Sequence, residues 1–108
     1  MSEFFELKRL KRDLSDFLFG VPYPHRRGLE DDEYWSLMAV DAMVRAHFSF
    51  LREEPTPGIF YVRFSLAGQL INFEASANSY ALAVARAIDQ TRETFQTHET
   101  QIGLSDLL

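Results

Sequence analysis

The stretch LAGQLINFEASANSYALAVARAIDQTRETF, Leu66 to Phe95, contains a turn, a strand and a helix in succession. Gly68 suits the left-handed position of a short reversal because it has no Cβ. After it, apolar and polar residues alternate as far as Ala75, as in a strand with one buried face. Asn78 or Ser79 is suited to cap the helix that follows. We therefore predict a strand followed directly by a long helix.

Two more alternating runs precede this stretch. The residues from Val44 to Phe50 form one, and IFYVRFSL, residues 59–66, forms the other. If Phe64 pairs with Ile71, the apolar residues of the last two strands lie on one face. The three strands are predicted to form an antiparallel meander.

The segment YWSLMAVDAM, residues 34–43, fits either of two structures. It reads as a short helix or as the front of a long first strand, because a short apolar run does not distinguish the two by periodicity. Both alternatives remain open at the level of sequence.

The N-terminal segment predicts an amphipathic helix. Apolar residues from Phe4 to Phe19 recur at spacings of three and four, and Gly20 with the prolines of VPYPHRRG ends the pattern. Residues 20–33 are predicted to be a long surface loop, and residues 103–108 an apolar tail. The order predicts one domain, residues 1–108, with a two-layer α+β fold: helix, three-stranded antiparallel meander, helix (αβββα).

Composition narrows the classes of protein. The 108 residues are 46% hydrophobic and include no cysteine, so disulfides and cysteine-based metal sites are excluded. No segment approaches the roughly 20 apolar residues of a membrane helix, and charges interrupt the N-terminal apolar runs, unlike in a secretory signal. We expect a cytoplasmic protein that has no membrane among its partners.

Catalytic signals are weak. The three histidines, His25, His47 and His98, have no metal-ligand spacing, and no glycine-rich phosphate loop or GxSxG elbow occurs. We therefore predict no enzyme activity, no cofactor and no metal site.

Charge is distributed unevenly along the chain. The net charge is −5, yet residues 1–28 carry six basic and four acidic side chains, which leaves −7 for the rest. A basic surface for phosphates or another acidic partner is predicted from seven residues. They are Lys8, Arg9, Lys11, Arg12, His25, Arg26 and Arg27. The alternative is that the basic residues of the first helix are simply its solvated side.

Two further surfaces are candidates for binding. The acidic run Glu30, Asp31, Asp32 and Glu33 could occupy a cationic groove of a partner, although such runs are usually solvated loop. A polar platform is predicted on the outward side of the sheet, where a cross-strand ion pair between Arg63 and Glu74 is the simplest alternative. Its residues are Arg45, His47, Tyr61, Arg63 and Glu74.

The meander and final helix carry a family-like pattern. Its residues are Gly68, Ile71, Ala75, Tyr80, Ala83, Ile88, Asp89 and His98. This pattern resembles the C-terminal part of the ribosome hibernation-promoting factors, also called the ribosome-associated inhibitor family, over Val44 to Gln101, about half the chain. The resemblance implies a related fold and a ribosomal partner. The departures are the missing strand before the first helix and a last helix without the family's lysines. The element order is also similar to double-stranded RNA-binding domains, but the helix start NSYALAVAR lacks their lysine cluster.

Two functions follow as hypotheses. The first is a small non-catalytic macromolecule-binding domain, a regulator associated with the ribosome or another RNA particle through the basic surface. The second is an acidic protein inhibitor or adaptor, of the type that phages and mobile elements encode, that blocks a nucleic-acid-binding protein through the acidic run. An unpaired outer strand also permits a homodimer by strand addition.

Overall fold

The described part of the chain folds as three helices and a three-stranded antiparallel sheet. The computed structural model describes residues 3–20, 27–66, 68, 70–95 and 103–104. The elements, in chain order, are α1 (Glu3–Phe19), α2 (Asp32–Arg45), β1 (Phe48–Thr56), β2 (Ile59–Leu66), β3 (Asn72–Ala77) and α3 (Tyr80–Phe95). The predicted α+β class and the meander, with strand order β1-β2-β3, are confirmed. The difference is one additional helix, α2.

The ambiguous segment belongs to α2. The Asp31 side chain accepts a hydrogen bond of 2.8 Å from the Tyr34 amide and so caps the helix. Trp35, Ala39 and Met43 are buried at spacings of four, which is helical and not strand periodicity. The predicted loop over residues 20–33 is therefore shorter, because Asp32 already belongs to the helix. Residues 21–26 lie outside the described part.

The end of α2 corrects the predicted start of the first strand. Val44 and Arg45 are still helical, and the His47 amide donates to the Val44 carbonyl at 3.0 Å. His47 has a φ of 71°, the left-handed conformation that commonly ends a helix and that usually calls for glycine. The alternation from Val44 to Ala46 is thus only apparent, and the strand begins at Phe48.

The β2–β3 register differs from the prediction by two residues. Phe64 lies opposite Phe73 and not opposite Ile71, which precedes β3. Because side chains alternate between the two faces of a strand, a shift of two residues keeps every side chain on its predicted face. The alternation of apolar and polar residues therefore cannot distinguish the two registers. Gly68 has the expected left-handed conformation, with a φ of 77°.

One face of the sheet carries the helices. α3 packs against β2 and β3, and α2 packs against β1, whereas α1 packs mainly against α3 and α2. α3 is therefore enclosed on most sides, with eight buried residues in place of the single predicted stripe. Its small residues allow that close approach: Ala81, Ala83, Ala85 and Ala87 are all buried. From the predicted tail, Leu104 is buried in the same core and residues 105–108 lie outside the described part.

Candidate functional site

A cleft of about 830 Å³ opens on the helical side of the sheet. It lies between the first turns of α2, the start of α3 and the end of the β1–β2 hairpin. Ser79 caps α3, because its hydroxyl accepts a hydrogen bond of 3.2 Å from the Leu82 amide. The N-termini of two helices therefore meet at this cleft.

The walls of the cleft are largely apolar. Leu37 and Val40 contribute from α2, and Phe50 and Phe60 from the sheet. Leu37 is 67% exposed, although it stands in the middle of a helix that covers β1. An exposed leucine beside half-buried phenylalanines is an apolar surface without a covering element among the described residues.

Arg52 is the basic side chain among the described residues that line this cleft. It occupies the inward-facing series of β1 after Phe48 and Phe50, and its guanidinium carbon lies 4.1 Å from the centroid of the Tyr80 ring. It also lies 6.0 Å from the Phe60 ring centroid, so cation–π attraction holds it against the aromatic wall. Burial raises the pKa of Tyr80, and the nearby Arg52 charge opposes that change. Sequence reasoning missed Arg52 because the alternating run was followed only to Phe50, whereas β1 continues to Thr56 and Arg52 extends its inward-facing series.

The predicted acidic run lies partly at the mouth of the cleft. Asp31, Asp32 and Glu33 line it, whereas Glu30 is exposed beyond the lining. Asp32 is paired, at 3.0 Å, with the ammonium group of Lys11. Asp31 caps α2 through one carboxylate oxygen and Glu33 is exposed, so these two charges remain available to a ligand.

The predicted basic surface is smaller than expected, and Lys11 is its main correction. Lys11 is only 4% exposed, and its ammonium group donates to the Glu30 carbonyl at 2.8 Å as well as to Asp32. It turns inward because α2 covers that flank of α1, and a buried ammonium needs such partners.

The remaining members of the basic surface are on α1 and near Gly28. Lys8, Arg9 and Arg12 are exposed, but the Asp13 carboxylate lies 3.5 Å from Arg9 and 3.8 Å from Arg12. Arg27 is exposed. His25 and Arg26 lie outside the described residues, so they stay predictions.

The outer face of the sheet brings together three of the five predicted residues. Arg63 lies opposite Glu74, and the Tyr61 hydroxyl donates to the Glu74 carboxylate at 2.5 Å. That hydrogen bond raises the pKa of Tyr61. Arg45 and His47 are not on this face, because α2 and its C-terminal turn contain them. Arg45 instead pairs with Asp41 on its own helix, at 3.0 Å.

The two edges of the sheet differ. Along β3, the Gln90 side chain donates to the Glu74 carbonyl at 2.7 Å and the Arg86 side chain donates to the Ser76 carbonyl at 3.0 Å. Two side chains of α3 thus occupy carbonyls that another strand would need. β1 forms the other edge, beside the cleft.

Within the described residues, no group of three or more His, Asp or Glu side chains is arranged to hold a metal ion. No helix in that part of the chain is both long and apolar enough to cross a membrane. Comparison with protein-family models, curated proteins and solved structures finds no match.

Proposed function

We propose that this chain is a non-catalytic protein-binding domain whose cleft receives a basic, apolar segment of a partner protein. The observation that carries the proposal is the pair of available carboxylates, Asp31 and Glu33, at the mouth of an apolar cleft. Nucleic-acid-binding proteins expose basic segments to phosphates, so an inhibitor or adaptor that covers such a segment fits this surface.

The cleft supplies both parts of such an interaction. Apolar side chains of the partner would be buried against Leu37, Phe50 and Phe60, which supplies most of the binding free energy. Basic side chains at the mouth would select the partner and accelerate association more than they would strengthen binding. Arg52 stacks on Tyr80 and limits how deeply a second cation can enter.

The test uses peptides as the probe. The full chain is immobilised, a display library of short random peptides is selected on it, and the affinity of an enriched peptide is measured by fluorescence anisotropy. We expect enriched peptides to combine lysine or arginine with apolar residues. The variant Asp31→Asn/Glu33→Gln should weaken binding about tenfold, since two partly exposed ion pairs contribute up to roughly 1 kcal/mol each.

The controls are matched in charge and in fold. Asparagine preserves the cap of α2, so the variant removes charge without removing the hydrogen bond to the Tyr34 amide. Asp16→Asn/Glu93→Gln removes the same two charges from exposed positions outside the cleft and should leave the affinity unchanged. Enriched peptides without basic residues, or equal weakening by both variants, would contradict the proposal.

The second candidate is association with the ribosome or another RNA particle. It is favoured by the exposure of Lys8, Arg9 and Arg12 on one helix and weakened by the burial of Lys11 and the proximity of Asp13. Cosedimentation with ribosomal subunits at low salt, abolished by Lys8→Glu/Arg12→Glu, would support it. Unchanged cosedimentation of that variant would reject the basic surface as the contact.

A further inference from the structure

We infer that the partner segment binds by strand addition: it pairs with the free edge of β1 and directs alternate side chains into the cleft. This inference rests on the proposed function and adds its binding mode. It joins two separate features: a strand edge that pairs with no other strand among the described residues, and an apolar cleft beside it.

The hydrogen-bonding direction of β1 follows from the other edge of the sheet. The carbonyls of Glu74 and Ser76 accept from α3, so they point away from β2. Their partners in β2, Arg63 and Tyr61, therefore direct their backbone groups towards β1.

The same alternation continues across β1. Arg63 and Tyr61 lie opposite Leu51 and Glu53, which form the hydrogen-bonded pairs of the β1–β2 ladder. The intervening residues Phe50 and Arg52 then direct their N–H and C=O groups to the outer edge. Within the described residues, no hydrogen bond reaches these groups from another element.

The side chains of these two residues point into the cleft. Phe50 and Arg52 line it, and Leu37 and Val40 of α2 form the opposite wall. A segment paired with β1 would therefore lie between a strand edge and a helix flank. Its backbone would bind β1, and every second side chain would contact the apolar wall, the mode of recognition in which pockets for alternate side chains give specificity.

Charge favours a partner segment over a second copy of this chain. Asp31 and Glu33 lie at the mouth of the cleft, so a basic residue at that end of the segment is attracted. Two copies of a chain with net charge −5 repel each other as they approach. We therefore assign the edge to an extended, basic and apolar segment of another protein.

The experiment is a backbone N-methylation scan of a peptide selected on the full chain. In an added strand, the N–H of every second residue donates to β1, and N-methylation removes that donor. At the residues between, the N–H points away from β1, so the added methyl group does not disturb the pairing. We expect losses of affinity of about five- to tenfold at alternate positions and little change between them. Amide hydrogen exchange at Phe50 and Arg52 should slow when the peptide is bound.

A pair of variants tests the protein side. Arg52→Pro removes an edge N–H that the β1–β2 ladder does not use, and Arg52→Ala removes the side chain alone. Strand addition predicts that the proline variant loses at least about fivefold more affinity than the alanine variant. Unfolding of both variants is followed by the fluorescence of Trp35, and the peptide scan remains decisive if the proline variant does not fold.

The outcomes separate the two levels of the proposal. A peptide that needs Asp31 and Glu33 but shows no two-residue alternation would overturn strand addition and leave the proposed function intact. Failure to select any peptide would overturn the proposed function itself. Analytical ultracentrifugation that detects a dimer of the native chain, dissociated by Arg52→Pro, would assign the edge to a second copy and overturn the inference.

Discussion

The ion pair between Glu6 of α1 and Arg86 of α3 should couple the outer helix to the rest of the domain. The two guanidinium nitrogens Nε and Nη2 donate to the two carboxylate oxygens at 2.7 and 2.8 Å, a bidentate geometry. The side chains are 26% and 34% exposed, so solvent screens part of the attraction. We expect a coupling free energy of about 1 kcal/mol, between the values typical of exposed pairs and of hydrogen bonds to buried charges.

A double-mutant cycle measures that coupling. The variants are Glu6→Gln, Arg86→Met and their combination, unfolded with urea while the fluorescence of Trp35 is recorded, since this single tryptophan is fully buried. Arg86→Met should cost about 1 kcal/mol more than Glu6→Gln, because it also removes the hydrogen bond to the Ser76 carbonyl. A loss of 1 kcal/mol corresponds to roughly 4 °C in Tm for a domain of this size.

The pH dependence gives an independent check. The hydrogen bond to Arg86 lowers the pKa of Glu6 below its ordinary value of 4.5. A carboxylate with a lowered pKa contributes its stabilisation above its unfolded-state pKa and loses it as the pH falls through the folded-state pKa. The stability difference between native chain and Glu6→Gln should therefore be constant at neutral pH and shrink below about pH 4.5. A coupling below about 0.3 kcal/mol, or a difference that persists in acid, would refute the reasoning.

Three further predictions test other contacts. Lys11→Met should lower the free energy of unfolding in urea by about 1–3 kcal/mol, because it removes the buried ammonium group that donates to the Glu30 carbonyl and the Asp32 carboxylate. The exposed control Lys8→Met should change it by less than about 0.5 kcal/mol. His47→Gly should raise Tm by a few degrees, since relief of about 1–2 kcal/mol of left-handed strain exceeds the entropic cost of glycine, and an unchanged or lower Tm would show that the turn is not strained. Gln90→Leu should lower the free energy of unfolding in urea by about 1 kcal/mol, because it removes the hydrogen bond to the Glu74 carbonyl at the edge of β3, and an unchanged value would show that this hydrogen bond does not stabilise the edge.

Local patterns in the sequence determined most of the secondary structure. The period of 3.6 in α1 and α3 and the period of 2 in β2 and β3 are properties of neighbouring residues, so they are visible without any tertiary contact. The left-handed Gly68 followed from the same local reasoning, and so did the α3 cap, narrowed to Asn78 or Ser79. The acidic residues of the cleft were also recognised in the sequence as a run of charges, but the sequence did not show which elements would lie beside them.

Contacts between distant residues decided the rest. Lys11 is part of the interior because the Glu30 carbonyl, just before α2, and the Asp32 carboxylate, at its start, accept its hydrogen bonds from about twenty positions further along the chain. Arg52 contacts the ring of Tyr80, which begins α3 and comes two strands later in the chain. The cleft around Arg52 therefore forms only when α3 packs on the sheet. The two-residue register shift of β3 preserves side-chain parity, so no periodic pattern records it. Periodicity tells which side of an element is buried, and only the packed chain shows which elements meet there.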